Sequence, residues 1–188
     1  MIYLASQSPR RKQLMELTGR EFIVKPSDVE EIVPADFTPK QTVEYLSIIK
    51  ADALYNEIED SDIIIGADTI VVFENEIFGK PSDEKDAFRM LAKMSGNTHE
   101  VITGVTVIKK SGNEKIQNTF SCITQVKFYS LSHDEINRYI ETKEYKDKAG
   151  AYGIQERGGL FVEKINGDFF NVVGLPVAQL EKVLKEIK

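Results

Sequence analysis

Cysteine is almost missing from this chain of 188 residues, which has only Cys122, and histidine is limited to His99 and His133. Internal disulfides, iron–sulfur sites and zinc clusters are therefore excluded, and a reducing cytoplasm is the natural compartment. Cys122 lies in a β-patterned segment with no basic neighbour to lower its pKa, so it reads as a buried, inert thiol. The two histidines have no ligand partner at metal spacing and read as structural or solvated. Long apolar runs are missing too. The longest charge-free stretch is residues 169–180, well short of the roughly 18 apolar residues a membrane-spanning helix needs. Met1-Ile2-Tyr3-Leu4-Ala5 lacks the basic segment and apolar run of a secretory signal, so neither membrane nor export is expected. Nor is there an excess of basic charge. Lys plus Arg total 24 against 30 for Asp plus Glu, a net charge of −6, which argues against a nucleic-acid polymer as partner.

What is present is an ordinary globular composition, 41% hydrophobic and 29% charged, without repeats or low-complexity tracts. Strand Ile2-Tyr3-Leu4-Ala5 runs into Ser8 and Pro9, a good N-cap and first helical residue, and a helix is expected to follow as far as Gly19. Residues 21–25 alternate as a short strand, and an acidic loop Asp28-Val29-Glu30-Glu31 comes after it. Thr38-Pro39 opens a helix carrying Val43, Leu46, Ile49, Ala53 and Leu54 at helical spacing. Ile63-Ile64-Ile65-Gly66-Ala67 has the pattern of a strand covered on both faces, with residues 70–73 as its continuation or its hairpin partner. Ser82-Asp83-Glu84 caps a helix ended by Gly96, and two β segments, 100–109 and 120–129, flank Ser111-Gly112-Asn113. Ser132 and Glu135 have capping-box spacing. A strand near residues 160–165 and a closing helix from Pro176 complete an α/β chain with a mixed, largely covered sheet. One domain over 1–188 is expected, with a second lobe near residues 80–145.

Four segments carry polar groups that folding alone does not require. In Ser6-Gln7-Ser8-Pro9-Arg10-Arg11, two arginines oppose the positive end of a helix dipole, so folding gains nothing from them while an anion would. In Gly66-Ala67-Asp68-Thr69 an acid ends an apolar strand, where a metal ligand or general base is at home; a turn-forming Asp is the plainer alternative. Gly79-Lys80-Pro81 presents one ammonium, with Lys50 a partner from the earlier helix. Finally, Asp147-Lys148-Ala149-Gly150-Ala151-Tyr152-Gly153-Ile154-Gln155 precedes Asn171-Val172-Val173-Gly174-Leu175-Pro176. Small residues there allow close backbone approach, and Gln155 can donate and accept in one plane, as a base edge requires. Together these groups describe a site for a metal-bound polyphosphate, although neither a Walker loop nor a dinucleotide glycine fingerprint is present.

These blocks, with Ser95-Gly96-Asn97-Thr98-His99 and Thr103-Gly104-Val105 between them, resemble in order the Maf family of nucleoside triphosphate pyrophosphatases. The resemblance runs from residue 4 to 176. It implies an inosine triphosphatase-like fold: an elongated mixed sheet with helices around it and a cleft between two lobes. It also implies cytoplasmic enzymes, often homodimers, that use Mg²⁺ or Mn²⁺ to cut a nucleoside triphosphate to monophosphate and pyrophosphate in a house-cleaning role. Thr69 and Gln155 resemble the branch acting on dTTP and UTP, with modified pyrimidine nucleotides as further candidates. The sister branch, which prefers 7-methyl-GTP, typically has Gln and Glu at these places. The resemblance makes Asp68 the proton acceptor and a metal ligand. It places Arg11, Lys50 and Lys80 on the phosphates, Glu30 near the metal, and Ser8, Arg10, Thr69 and Gln155 among the residues that bind and select substrate. Glu156-Arg157 and Asp168-Phe169-Phe170 depart from the family's usual small residues. A different class of function, a non-catalytic nucleotide sensor in septum formation, is disfavoured by the retention of Asp68, since binding alone needs no base.

Overall fold

Helix starts are written into the chain by side chains that satisfy the first free backbone N–H groups. In the computed structural model, which describes residues 1–187, the Ser8 hydroxyl accepts from Arg11 N to start α1 (Pro9–Glu16) behind strand β1 (Ile2–Ala5). Thr38 and Gln41 form a capping box for α2 (Pro39–Asp52), which follows β2 (Phe22–Val24). Asp83 caps α3 (Glu84–Met94), and a second capping box, Ser132 with Glu135, opens α4 (His133–Glu141). Helix α1 stops at Glu16, short of Gly19. Leu17, Thr18 and Gly19 donate to carbonyls three residues back, and the Thr18 hydroxyl takes the Met15 carbonyl at 2.7 Å. That is the tighter winding with which helices commonly end.

Residues 63–73 form one unbroken strand, β3 (Ile63–Phe73), which settles the alternatives left open by the sequence. Its hairpin partner is β4 (Glu76–Phe78). Glu74 and Asn75 between them both have positive φ, 50° and 65°, as a two-residue turn of the hand that matches strand twist demands. The long strands β5 (Thr98–Ser111) and β6 (Glu114–Phe128) flank Gly112 and Asn113, and β7 (Val162–Asn166) pairs antiparallel with β6. The short helix α5 (Phe169–Val173) and then α6 (Val177–Glu186) close the chain. The seven strands make one mixed sheet ordered β2-β1-β3-β5-β6-β7, with β4 on β3, and β1 parallel to both its neighbours. The expected α/β class with a mixed sheet is borne out. No helix among the described residues is long and apolar enough to cross a membrane.

Two compact units divide this chain. The first comprises Met1–Asp68, Thr103–Cys122 and the chain from Gly174. Its sheet is parallel where β1 meets β3 in the register Ile2↔Ile63 to Ala5↔Gly66, and α2 lies directly on it. A Cβ built on Gly66 would stand 2.3 Å from the Ser47 carbonyl oxygen, and one on Gly104 would stand 2.3 Å from that of Val43. Both oxygens belong to α2, so helix and sheet meet backbone to backbone. Ala5, Ala51, Leu54, Ile58, Ile64 and Ile108 fill the space beyond.

The second unit is Thr69–Ile102 with Ile123–Val173. Its core is aromatic at the centre: Phe128 meets His99, Tyr152 and Phe161 edge to face, and Phe78, Leu91, Met94 and Ile136 are fully buried around them. His99 is enclosed, its Nε2 2.8 Å from the Tyr152 hydroxyl, and burial pushes its imidazole down to about 4.

Both packings make measurable predictions. Gly66→Ala forces a methyl into a helix backbone that cannot yield like a side chain, so it should cost about 1–3 kcal/mol in urea unfolding. Gly79→Ala, where nothing lies within 4 Å, should stay within about 0.5 kcal/mol of wild type. Equal losses would show that α2 is free to shift. The native state holds His99 neutral, whereas the unfolded chain protonates it near the ordinary 6.5. The contribution is therefore fully present above that value and is lost as pH falls towards 4. From neutral pH to about pH 4.5 the wild type should lose about 2 kcal/mol more unfolding free energy than His99→Gln. Parallel curves for the two proteins would refute it.

Candidate active site

The close seating of α2 determines what its last turn can reach. Lys50 stands in that turn, where a cation also complements the helix dipole. Its ammonium is 2.5 Å from Asp68 Oδ1, and both side chains are largely buried. Asp68 sits on β3 two residues beyond Gly66, the point of helix contact, so its side chain emerges on the same face of the strand as that contact. The same Nζ is 2.9 Å from Glu31 Oε1, in the acidic loop. One ammonium thus gathers two carboxylates from distant parts of the sequence.

Arg11, in the first turn of α1, joins this group. Its Nε donates to the Gly174 carbonyl at 2.9 Å and its Nη1 to the Ser6 hydroxyl at 3.3 Å. Gly174 has φ of 127°, a conformation that L side chains rarely adopt, and it turns its carbonyl onto the guanidinium. Ser6 also accepts from the N–H of Ser8, tying the loop before the helix to the same arginine. Burial pulls the Arg11 pKa below the ordinary arginine value. The charge of Asp68 opposes that fall, neighbouring Arg10 adds to it, and Glu31 opposes it again. The first unit therefore assembles Ser8, Arg10, Arg11, Lys50 and Asp68 of the sequence-predicted residues, although the chain as a whole is acidic. Of the acidic loop, Glu31 is the residue that reaches Lys50, one position on from Glu30. Loop register cannot be read from periodicity, so the sequence marked the loop and not the side chain.

The remaining candidates belong to the second unit. Thr69 follows Asp68 on β3, half-buried and on the opposite face of the strand. Lys80 is exposed in the Gly79-Lys80-Pro81 loop, which is tethered where Gly150 N donates to the Gly79 carbonyl at 3.0 Å. Gly150 has φ of 69°, and a Cβ there would stand 2.8 Å from a Val71 methyl, so that tether needs glycine. Gln155 is exposed on a turn between Gly153 and Gly159. The departures at Glu156-Arg157 have local partners: Glu156 pairs with Lys148 at 2.9 Å, and Arg157 N donates to Glu144 Oε2 at 3.0 Å. Asp168 caps the α5 turn through Phe170 N at 2.8 Å. Asn171, next on, donates to the Val101 carbonyl and to Thr124 Oγ1.

Three residues set aside in the sequence resolve as follows. His99 is structural, as its core contacts show, and His133 packs edge-on against Phe88. Cys122 is half-buried, not the buried thiol expected, because the face of β6 is covered only from Thr124 onward.

The donor set suits a hard divalent cation. Asp68 and Glu31 bring carboxylate oxygens to one position, that of Lys50 Nζ. Magnesium characteristically takes one or two carboxylates and completes its shell with water and substrate phosphates. Among the described residues no cluster of three His, Cys, Asp or Glu could hold a metal ion from protein alone.

A dTTP/UTP pyrophosphatase of Bacillus pumilus (strain SAFR-032) is 47% identical over 184 residues, 98% of this chain and 95% of that protein. One from Bacillus cereus is 48% identical over 185 residues, 98% and 94% of the two chains. In fold, the chain is similar to the Staphylococcus aureus Ham1 protein, with a TM-score of 0.51 at 14% identity over 100% of this chain and 99% of that one. The family model for Maf-like protein matches residues 1–187, and the chain belongs to the Maf family.

Proposed function

We propose that this protein hydrolyses dTTP and UTP to the nucleoside monophosphate and pyrophosphate. The observation that carries the reading is the single ammonium of Lys50 shared by Asp68 and Glu31, with Arg11 fixed in their field. The activity named for the two Bacillus relatives supports the choice of substrate. Asp68 takes the proton from a water that attacks the α-phosphorus, and Lys50 fixes the orientation of its carboxylate through Oδ1. Arg11, Lys50 and Lys80 hold the phosphates and offset charge as the pyrophosphate leaves, while Arg10 and Ser8 border the same helix start. Asp68 and Glu31, with Glu30 adjoining Glu31 in the loop, would hold Mg²⁺ or Mn²⁺, which when bound neutralises phosphate charge. Thr69 and Gln155 select the base.

The protein incubated with UTP or dTTP and Mg²⁺ should release monophosphate and pyrophosphate, and release of nucleoside diphosphate with orthophosphate would overturn attack at the α-phosphorus. Asp68→Asn should lower kcat by on the order of 10² to 10⁴ with nucleotide affinity largely retained. A rate near wild type would remove Asp68 from the proton-accepting role.

Base selection by Gln155 rests on hydrogen-bond complementarity. A uracil or thymine edge has an N–H between two carbonyls, which a carboxamide can both accept from and donate to, whereas a carboxylate only accepts. Gln155→Glu should therefore reduce kcat/KM for UTP and dTTP by roughly tenfold, the effect of about 1–3 kcal/mol from an unmet polar group, and relatively favour GTP. An unchanged UTP to GTP ratio would show that Gln155 does not read the base.

A further inference from the structure

Lys148 is the charged residue that folding explains least. It is only 8% exposed, in a stretch of small residues where an apolar side chain of similar length would fill the space without desolvating a charge. Its ammonium donates to the Glu144 carbonyl at 2.6 Å and pairs with the Glu156 carboxylate at 2.9 Å. Its stem lies where a side chain at 153 would stand, since a Cβ on Gly153 would meet Lys148 Cε at 2.5 Å. From the other side, Gly158 packs on the Gly153 backbone and Gly159 on the Ile154 carbonyl, at separations that leave no room for a methyl. Glu144 adds a second fastening by accepting from Arg157 N at 3.0 Å. The turn carrying exposed Gln155 is thus held at Gly153, Glu156 and Arg157, and two of these three ties run through Lys148.

The backbone around Lys148 fits such a role. Asp147, Gly150 and Ala151 all have positive φ, 62°, 69° and 65°, and two of them are not glycine. Conformations of this kind persist where surrounding contacts impose them, and they gather at functional sites. The outer partner, Glu156, is 41% exposed, and an ion pair open to water at one end adds little to stability. What it supplies is geometry.

We propose that Lys148 is a positioning residue for base selection: its buried ammonium, shared between the Glu144 carbonyl and the Glu156 carboxylate, fixes the turn that presents Gln155. This rests on the reading of Gln155 as the base-contacting residue. Lys148→Met keeps the stem packed at Gly153 and removes the ammonium's two bonds, to the Glu144 carbonyl and the Glu156 carboxylate. It should raise KM for UTP and dTTP roughly tenfold with little change in kcat, leave GTP nearly unaffected, and so lower the UTP to GTP ratio of kcat/KM about tenfold. Glu156→Gln, which retains a carbonyl oxygen for the ammonium, should keep the ratio near wild type. A Lys148→Met protein that loses kcat/KM for UTP and GTP equally would overturn the proposal, because a purely structural role predicts that uniform loss. Should Lys148→Met fail to fold, Glu156→Ala decides from the exposed end, with a fallen ratio supporting the proposal and an unchanged one overturning it. Gln155→Glu measured alongside separates the two readings. If it moves the ratio while Lys148→Met and Glu156→Ala do not, Lys148 alone is wrong; if none of the variants moves it, the base-reading role of Gln155 falls as well.

Discussion

The seating of α2 on the sheet at Gly66 and Gly104 is the constraint from which the candidate site follows. Backbone contact without intervening side chains fixes helix height and rotation together, because neither partner has a flexible group to give way. Ser47, on the same helix, adds a 2.7 Å hydrogen bond to Thr106, so the contact is locked by a polar pair as well as by shape. Only with the helix at that height does the stem of Lys50 end at Asp68. A larger residue at 66 would move the ammonium, and with it both carboxylates it gathers.

Much of this was legible in the sequence because its signals are local. Ser8-Pro9, Thr38-Pro39, Asp83 and the Ser132/Glu135 box all start helices where they should, since each depends on residues within one turn. The α/β class followed from alternation and apolar runs. The end of α1 did not, because the hydroxyl of Thr18 competes for a helix carbonyl and nothing in the apolar pattern records that. Nor did α5, whose five residues are too few for a periodic signal.

Site residues divide along the same line. Arg10, Arg11 and Asp68 stood out as charges misplaced for folding, a judgement that needs only their own segment. Glu31 lies 19 residues before Lys50 in a loop without periodicity, so its pairing could only be seen in space. Lys148 stands in the small-residue stretch 147–155, yet its burial depends on the Glu144 carbonyl and on the turn that brings Gly153 and Glu156 against it. Tertiary context sets such roles, and composition is silent on them.

The ends of the sheet have a consequence of their own. Its edge strands are β2 and β4, each three residues long, and β7, whose Glu163 and Lys164 are exposed, with a register irregularity at Lys127/Phe128 on the strand beside it. Brevity, charge and a bulge are the means by which natural sheets discourage an added strand. Strand-to-strand joining between copies of this chain is thereby discouraged, so crowded solutions meet a barrier to open-ended growth that is already present in the native fold.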